Sequence, residues 1–238
     1  MKIPHKTYFS WSSGKDAAMA LYALMQDSNY DVQQLITTVN GHYQRVSMHG
    51  LRNEMLDRQL ASLGLPLRKI SLPEQPNMEE YDAIMGKELE SFVKEGVSHI
   101  AYGDIFLEDL KAYRDLELAK HNLQGVYPLW KQDSRTLIQE FIKLGFKAVI
   151  VCIKGEFLGE SFLGREIDQS FLEDLPEHVD PCGENGEFHT FCYDGPIFSH
   201  PIRFRKGERV MRAYKAPSNS EDENSSSMRF WFQDLIPI

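Results

Sequence analysis

The 238-residue sequence predicts an α/β fold, in which a doubly wound parallel sheet is followed by a smaller C-terminal α+β lobe. Two observations support this class. Through the first half, short apolar runs alternate with stretches of helical periodicity, which is typical of parallel strands covered by helices. After Gly125 the chain changes to extended segments that can pair as antiparallel strands. We therefore predict two lobes, at residues 1–125 and 126–238.

The first predicted strand covers residues 7–11, and the first helix begins at the turn that contains Lys15. Apolar residues recur around most of this helix, so we expect it to be buried against a sheet. Strands and helices then alternate, and Gly64 and Gly96 mark the ends of two helices. The further predicted elements are strands at residues 35–39, 67–72 and 97–102, and helices at residues 51–63 and 81–93.

The second half begins with an extended, proline-containing link at residues 126–130. A helix at residues 135–144 and a strand at residues 147–153 follow it. Two later segments, at residues 202–214 and 228–235, are predicted to pair as antiparallel strands. The polar residues 218–227 between them contain no apolar side chain and predict a mobile loop.

The turn at residues 12–17 connects the first strand to the first helix. A helix N-terminus presents unpaired N–H groups and the positive end of the helix dipole, and Lys15 adds a mobile cation. Ser13 and Gly14 are small enough for the backbone to approach a ligand closely. The turn therefore predicts a phosphate site. The simpler alternative is that Ser12 or Ser13 only caps the helix.

The composition limits the classes of function. The formal charge is −9, from 26 Lys and Arg against 35 Asp and Glu, which disfavours binding to a nucleic-acid backbone. Cys152, Cys182 and Cys192 form no CxxC pair, so neither a disulfide framework nor a zinc ribbon is predicted. The sequence has no signal peptide and no apolar run long enough to span a bilayer. We expect a cytoplasmic protein without nucleic-acid or membrane partners.

Several segments together resemble a known enzyme family. The turn at residues 12–17, SSGKDA, resembles the pyrophosphate-binding SGGKDS loop of the N-type ATP pyrophosphatases. The other segments are GDIFLEDLKAYR at residues 103–114, PLW at residues 128–130, CGENGEFHT at residues 182–190 and DGP at residues 194–196. In this order, from about Thr7 to Tyr214, they resemble the diphthine-ammonia ligase family.

This resemblance implies a HUP-type, Rossmann-like domain that binds ATP, followed by a lobe that helps to form the acceptor site. It also implies a reaction. A carboxylate attacks the α-phosphate of ATP and releases pyrophosphate, and ammonia then displaces AMP from the acyl adenylate to form an amide. The implied cofactors are ATP and Mg²⁺, and the implied nitrogen source is free ammonium. The acceptor is either protein-borne diphthine or a small carboxylic acid in a bacterial member, and a homo-oligomer stays open.

The resemblance also assigns residues to the nucleotide. Lys15 and the N–H groups of its loop would stabilise negative charge on the leaving pyrophosphate. Asp16 or Asp104 would contact Mg²⁺, which prefers carboxylate and phosphate oxygens. Ala17 and Ser13 stand where the family loop has its final Ser and its middle Gly, so we expect altered loop geometry with ATP binding retained. The nucleotide-binding set is Ser12, Ser13, Gly14, Lys15, Asp16, Gly103, Asp104 and Arg114.

The glycine-rich segment after Cys182 contributes most of the predicted catalytic residues. Its glycines predict tight turns that present polar side chains to a site, whereas composition alone favours a solvated surface turn. Glu187 or His189 would accept a proton from ammonium. A zinc site at Cys182, His189 and Cys192 is disfavoured, because three ligands fall short of a closed site. The predicted catalytic set is Lys15, Glu184, Glu187, His189 and Asp194.

Three further side chains have alternative roles. His49 and Arg52 open the second helix and could reach the rim, although residues of a first helical turn are commonly solvated. Arg114 is assigned to a phosphate or an acceptor carboxylate, and an ion pair with Glu108 or Glu117 is the alternative.

Two other functions stay open. The first is a tRNA-modifying pyrophosphatase-loop enzyme, a class that commonly has basic extensions or paired cysteines, neither of which occurs here. The second is a non-catalytic ATP-binding module, which would leave the polar cluster at residues 184–194 unexplained.

Overall fold

The computed structural model describes residues 3–40, 45–46, 51–73, 76–215 and 227–238, and these residues form two sheets. In the first sheet, β4, β2, β1, β5 and β6 lie side by side in that order and run parallel. β3 pairs antiparallel with the end of β2. The strands are β1 (His5–Ser10), β2 (Tyr30–Asn40), β3 (Arg45–Val46), β4 (Leu67–Leu72), β5 (His99–Ala101) and β6 (Gln124–Val126).

Helices cover both faces of this sheet, so the predicted doubly wound fold is confirmed. Neighbouring residues of β1 show why: Phe9 packs with α1 and α2 on one face, and Tyr8 packs with α3 and α4 on the other. A strand buried on both faces reads as a continuous apolar run rather than as an alternating one. The helices are α1 (Lys15–Met25), α2 (Asn53–Leu63), α3 (Met78–Lys94) and α4 (Glu108–Ala119).

The second sheet is antiparallel, in the order β8, β7, β10, β9. It lies on the α1 and α2 side of the first sheet, because β8 contacts α1 and β10 contacts α2. One apolar core therefore continues from α1 to both sheets. The elements are α5 (Ser134–Lys143), β7 (Lys147–Lys154), α6 (Gln169–Asp174), β8 (Phe188–Asp194), β9 (Phe204–Lys215) and β10 (Ser227–Pro237).

Most predicted elements are present, some with shifted ends. The strand at residues 67–72 is confirmed, and α2 ends at Gly64, whose φ of 69° is left-handed. The predicted pairing of the last two strands is also confirmed. The predicted loop at residues 218–227 lies outside the described residues except for Ser227.

Two segments differ from the prediction because their partners are distant in sequence. The link predicted at residues 126–130 begins as strand β6, which pairs with β5, and the predicted lobe boundary falls inside this strand. The glycine-rich segment after Cys182 contains β8, which pairs antiparallel with β7. In the described part of the chain, no helix is both long and apolar enough to cross a membrane.

Candidate active site

The turn between β1 and α1 leaves the start of α1 open to a ligand. Gly14 is the N-cap residue, so neither Ser12 nor Ser13 is in the position to cap the helix. The alternative in which Ser12 or Ser13 caps α1 is therefore wrong. Instead, the Lys15 N–H donates to Thr190 Oγ1 of β8 at 3.0 Å, so the second sheet contributes directly to the loop.

Ser13 has a backbone conformation that favours glycine. Its φ is +70°, and its side chain is fully buried. A residue with a Cβ atom loses free energy in this left-handed region, so surrounding contacts must hold it there. The Ser13 carbonyl accepts two hydrogen bonds at 3.0 Å, one from Gln59 Nε2 and one from the Cys192 N–H. Position 13 thus has a backbone conformation that is typical of glycine, although its residue is serine.

Lys15 is buried rather than mobile, which corrects the sequence-based prediction. Its ammonium contacts both Asp16 carboxylate oxygens at 2.8 Å, donates to the Cys182 carbonyl and lies 5.4 Å from the centre of the Phe188 ring. Burial opposes its charge, but the Asp16 carboxylate and other negative groups outweigh this, so the pKa of Lys15 lies above its usual value. Burial also raises the pKa of Asp16, although Lys15 opposes that shift. A buried cation therefore stands at the start of α1.

The turn after β5 packs against the start of α1. A Cβ atom on Gly103 would lie 3.0 Å from the Ala17 backbone nitrogen, so only glycine allows this approach without displacement. The approach places Asp104 beside the turn at residues 12–17, which we call the phosphate loop after its predicted role. Arg114 forms an ion pair with Asp104, not with Glu108 or Glu117, and stacks 4.3 Å from the centre of the Tyr102 ring.

The loop before β8 is a structured wall of the site. Glu184 Oε1 accepts a hydrogen bond from the Ile105 N–H at 2.8 Å, which links the second half of the chain to the turn after β5. Burial, helped by the nearby Asp16 carboxylate, raises the pKa of Glu184. Glu187 is only 2% exposed, and its Oε1 accepts from the Asp180 N–H and from Asn185 Nδ2. The alternative of a solvated surface turn is therefore wrong.

His189 and Asp194 lie at different ends of β8. His189 faces the phosphate loop, and burial together with the Lys15 charge lowers its pKa to about 4, so its imidazole is neutral near pH 7. Asp194 lies at the far end, where it accepts from the Gly195 N–H and pairs with Lys147 at 3.5 Å. The structure does not bring Asp194 to the other predicted residues.

Two adjoining cavities lie at the carboxyl ends of the parallel strands, where ligands bind in folds of this kind. The first, which we call the polar cavity, measures about 200 Å³. Glu187 and Asp194 are not among its walls, and the predicted Ser13 is buried behind it. Its walls include Ser12, Gly14, Lys15, Asp16, Gly103, Asp104, Arg114, Glu184 and His189.

The second cavity, which we call the apolar cavity, measures about 280 Å³ and lies beside the polar one. Ser12, Tyr102 and Arg114 belong to the walls of both cavities, so the two adjoin. Sequence reasoning missed this cavity because its apolar residues have the periodicity of core positions. The other walls include Ile36, Thr37, Ile70, Tyr81, Asp82, Met85, Leu89 and Tyr113.

The predicted metal contacts can be judged from their donor atoms. Asp16 and Asp104 both present carboxylates to the polar cavity, which suits a Mg²⁺ ion that keeps waters and binds mainly phosphate oxygens. Among the described residues, no three His, Cys, Asp or Glu side chains form a metal-binding group. The Cys182 and Cys192 thiols are buried, which raises their pKa.

Two predicted rim residues do not join the site. Arg52 donates to the Asp234 carboxylate at the surface and is not a wall of either cavity. His49 lies outside the described residues.

Two family models and several relatives match the sequence of this chain. The sequence-family model of the diphthamide synthase N-terminal domain matches residues 5–118, and that of the C-terminal domain matches residues 133–216. The diphthine–ammonia ligase of Homo sapiens is 30% identical over 190 residues, which cover 73% of this chain and 69% of the human protein. That of Bos taurus is 33% identical over 129 residues, or 52% of this chain and 48% of the bovine protein, so this match spans about half of that relative.

The diphthine–ammonia ligase of Danio rerio is 28% identical over 179 residues, which cover 68% of this chain and 69% of that protein. Among solved structures, the U34-tRNA thiolase NcsA from Methanococcus maripaludis, with its 4Fe–4S cluster, matches with a TM-score of 0.38 and 16% identity. This match covers 60% of the chain and 59% of the thiolase.

Proposed function

The chain belongs to the diphthamide synthase family, and we propose that it is an ATP-dependent ligase that joins ammonia to a carboxylate and releases AMP and pyrophosphate. One observation carries the proposal. The polar cavity unites the phosphate loop, the turn after β5 and the loop before β8, so groups suited to phosphate, Mg²⁺ and proton transfer share one space. We take the acceptor to be diphthine, by the names of the relatives, with a small carboxylic acid as the alternative.

The adjoining positions of the two cavities support one orientation of the nucleotide. The apolar cavity takes the nucleoside, and the polar cavity takes the β- and γ-phosphates at the start of α1, where N–H groups and the helix dipole favour anions. Arg114 belongs to both cavities, so it faces the α-phosphate between them. A planar guanidinium suits this position, because it donates two parallel hydrogen bonds to phosphate or carboxylate oxygens.

The two ion pairs of the site must then exchange partners. Without ligand, Arg114 neutralises Asp104 and Lys15 neutralises Asp16. When ATP binds, the phosphates take the cations, and the carboxylates of Asp104 and Asp16 would then be available to hold Mg²⁺, which would screen charge on the phosphates. Lys15 then stabilises the charge that grows on pyrophosphate as the α–β phosphate bond breaks.

The chemistry proceeds in two balanced steps. A carboxylate oxygen of the acceptor attacks the α-phosphate, and pyrophosphate leaves with the electron pair of the broken bond. Ammonia then attacks the acyl carbon, AMP leaves with the electron pair of the acyl–oxygen bond, and the one proton lost from nitrogen passes to a base. We assign His189 as this base, because it lines the polar cavity whereas Glu187 does not. Bound phosphates raise the low pKa of His189, since a nearby anion favours the imidazolium.

The test separates AMP-forming from ADP-forming chemistry. The purified protein is incubated with α-labelled ATP, Mg²⁺ and ammonium, with and without extracts that contain candidate acceptors, and AMP is resolved from ADP. We expect AMP that depends on the acceptor and disappears in Lys15→Ala. The control is Lys143→Ala, which removes an exposed charge from the end of α5 and should leave turnover unchanged. ADP as the product would refute the proposal, and tight ATP binding without turnover would indicate a sensor.

A further inference from the structure

Gln59 of α2 connects the phosphate loop to both sheets. Its side chain is fully buried, and its Nε2 donates to the carbonyls of Ser13, at 3.0 Å, and Cys192, at 2.6 Å. Its Oε1 accepts from Trp11 Nε1 at 2.8 Å. One amide therefore ties the residue after β1, the phosphate loop and β8 together.

The position of Gln59 on α2 makes a purely packing role a poor explanation. Met55 and Leu56 are fully buried on the same helix, and an apolar residue at position 59 would fill this space without a requirement for partners. A buried amide instead needs every hydrogen bond to be satisfied, and it fixes the geometry of the groups that satisfy it. Gln59 forms these hydrogen bonds with three partners: Trp11 just before the loop, Ser13 within it, and Cys192 in β8.

The partner that needs support is Ser13. Its φ of +70° is a conformation in which a Cβ atom costs free energy, and the unliganded loop can relieve this cost by rotating out of it. Such a rotation moves the Ser13 carbonyl and the next N–H groups, which are the groups that would face a phosphate. A hydrogen bond from Gln59 to that carbonyl opposes the rotation.

We infer that Gln59 is a positioning residue that holds Ser13 left-handed and thereby keeps the phosphate loop ready for pyrophosphate. The bond to Cys192 extends this role, because it sets the loop at a constant distance from β8, which carries His189 and Thr190. The inference rests on the proposed function for the identity of the ligand, but the conformational part concerns only this chain.

The test measures binding of pyrophosphate with Mg²⁺ and, separately, of AMP, by calorimetry. In Gln59→Met, we expect about tenfold weaker pyrophosphate binding, the equivalent of one net hydrogen bond, and AMP binding within about twofold. In a Ser13→Gly background the same substitution should weaken pyrophosphate binding by about threefold or less. Glycine adopts positive φ without cost, so the loop then needs no support.

Ser62→Ala is the matched control. Ser62 lies one turn further along α2, is also buried, and also bonds to the second half of the chain, at the His200 backbone. It does not touch the loop, so pyrophosphate binding should stay within about twofold. Gln59→Asn, which stays neutral and shortens the amide by one methylene, replaces Gln59→Met if that variant does not fold, and it should weaken pyrophosphate binding in the same selective way.

Two results would overturn the inference. Equal losses of AMP and pyrophosphate affinity would mean that Gln59 supports the fold in general, and an undiminished loss in the Ser13→Gly background would mean that it does not act through Ser13. A wild-type protein that binds neither ligand would instead overturn the proposed function. Guanidinium unfolding of the two single variants and the double variant then still tests the conformational part, because additive effects on unfolding free energy would contradict it.

Discussion

Replacing Gly103 by alanine tests whether the turn after β5 needs its close approach to α1. The added Cβ atom would lie 3.0 Å from the Ala17 nitrogen, 3.1 Å from the Asp16 carbonyl carbon and 3.2 Å from the Ala17 Cα. All three atoms belong to backbone at the start of α1, where Ala17 and Ala18 are buried in the core. The helix cannot give way as a flexible side chain would, so the turn must move.

The expected effect has two parts. Overpacking of this kind typically costs about 1–3 kcal/mol of unfolding free energy. To restore ordinary contact distances, the turn must move by several tenths of an ångström, and Asp104 moves with it. Because a misplacement of about 1 Å can cost on the order of a hundredfold in rate, we expect roughly a tenfold loss of acceptor-dependent AMP formation.

Guanidinium unfolding and the AMP assay measure the two parts separately. Gly86→Ala is the control for stability, because Gly86 lies within α3 and the nearest atom to its added Cβ, His121 Nε2, is 3.9 Å away. Alanine inside a helix should raise the unfolding free energy there by about 0.5–1 kcal/mol. If Gly103→Ala were as stable and as active as the wild type, the reasoning from close approach would be refuted.

Other residues of the site give three further predictions. Because the folded pKa of His189 is lowered from 6.5 to about 4, the unfolded chain binds its proton first, so stability should fall by up to about 3 kcal/mol between pH 6.5 and pH 4. The unfolding free energy of His189→Gln should lack this dependence on pH. In the wild type, NMR should show that the pKa of His189 rises when Mg²⁺ and pyrophosphate bind. A constant pKa would contradict its place beside the phosphates. Arg114→Lys, which keeps the charge but loses the planar stacking on Tyr102, should lower acceptor-dependent AMP formation at least tenfold, and full activity would exclude a role that depends on the guanidinium. Ser13→Gly should raise the unfolding free energy by about 1 kcal/mol, and a destabilised variant would show that the left-handed conformation is not costly here.

Several secondary-structure elements could be predicted from short stretches of the sequence. The strand at residues 67–72 and the end of α2 at Gly64 are readable from a few neighbouring residues, because an apolar run and a left-handed glycine act within one or two turns. The ends of β1 and β5 differ from the predicted ends, and β6 and β8 were not predicted as strands. Strand positions depend on which neighbouring strand offers hydrogen bonds. Those neighbours are far away in the sequence.

The candidate site also has features that the sequence predicts and features that it does not. Ser12–Asp16 could be predicted as a phosphate loop because the start of a helix after a strand has its own dipole and N–H groups. The partners of the charges could not be predicted: Arg114 faces Asp104, and Lys15 is buried against Asp16. Gln59 had one faint signal, a polar residue among the apolar positions of α2, which indicates a buried hydrogen-bond network without naming its members.

By itself, the sequence determined the doubly wound class and the family motifs, and it predicted a phosphate loop at the start of α1, because each depends on residues that are neighbours along the chain. Only the tertiary structure decided that β8 lies beside that loop, that His189 faces the polar cavity while Glu187 and Asp194 do not, and that Gln59 donates a hydrogen bond to Ser13. These are contacts between segments as many as 175 residues apart, as in the bond from Lys15 to Thr190. Such contacts form only when the helices and sheets pack, since burial sets which polar groups meet.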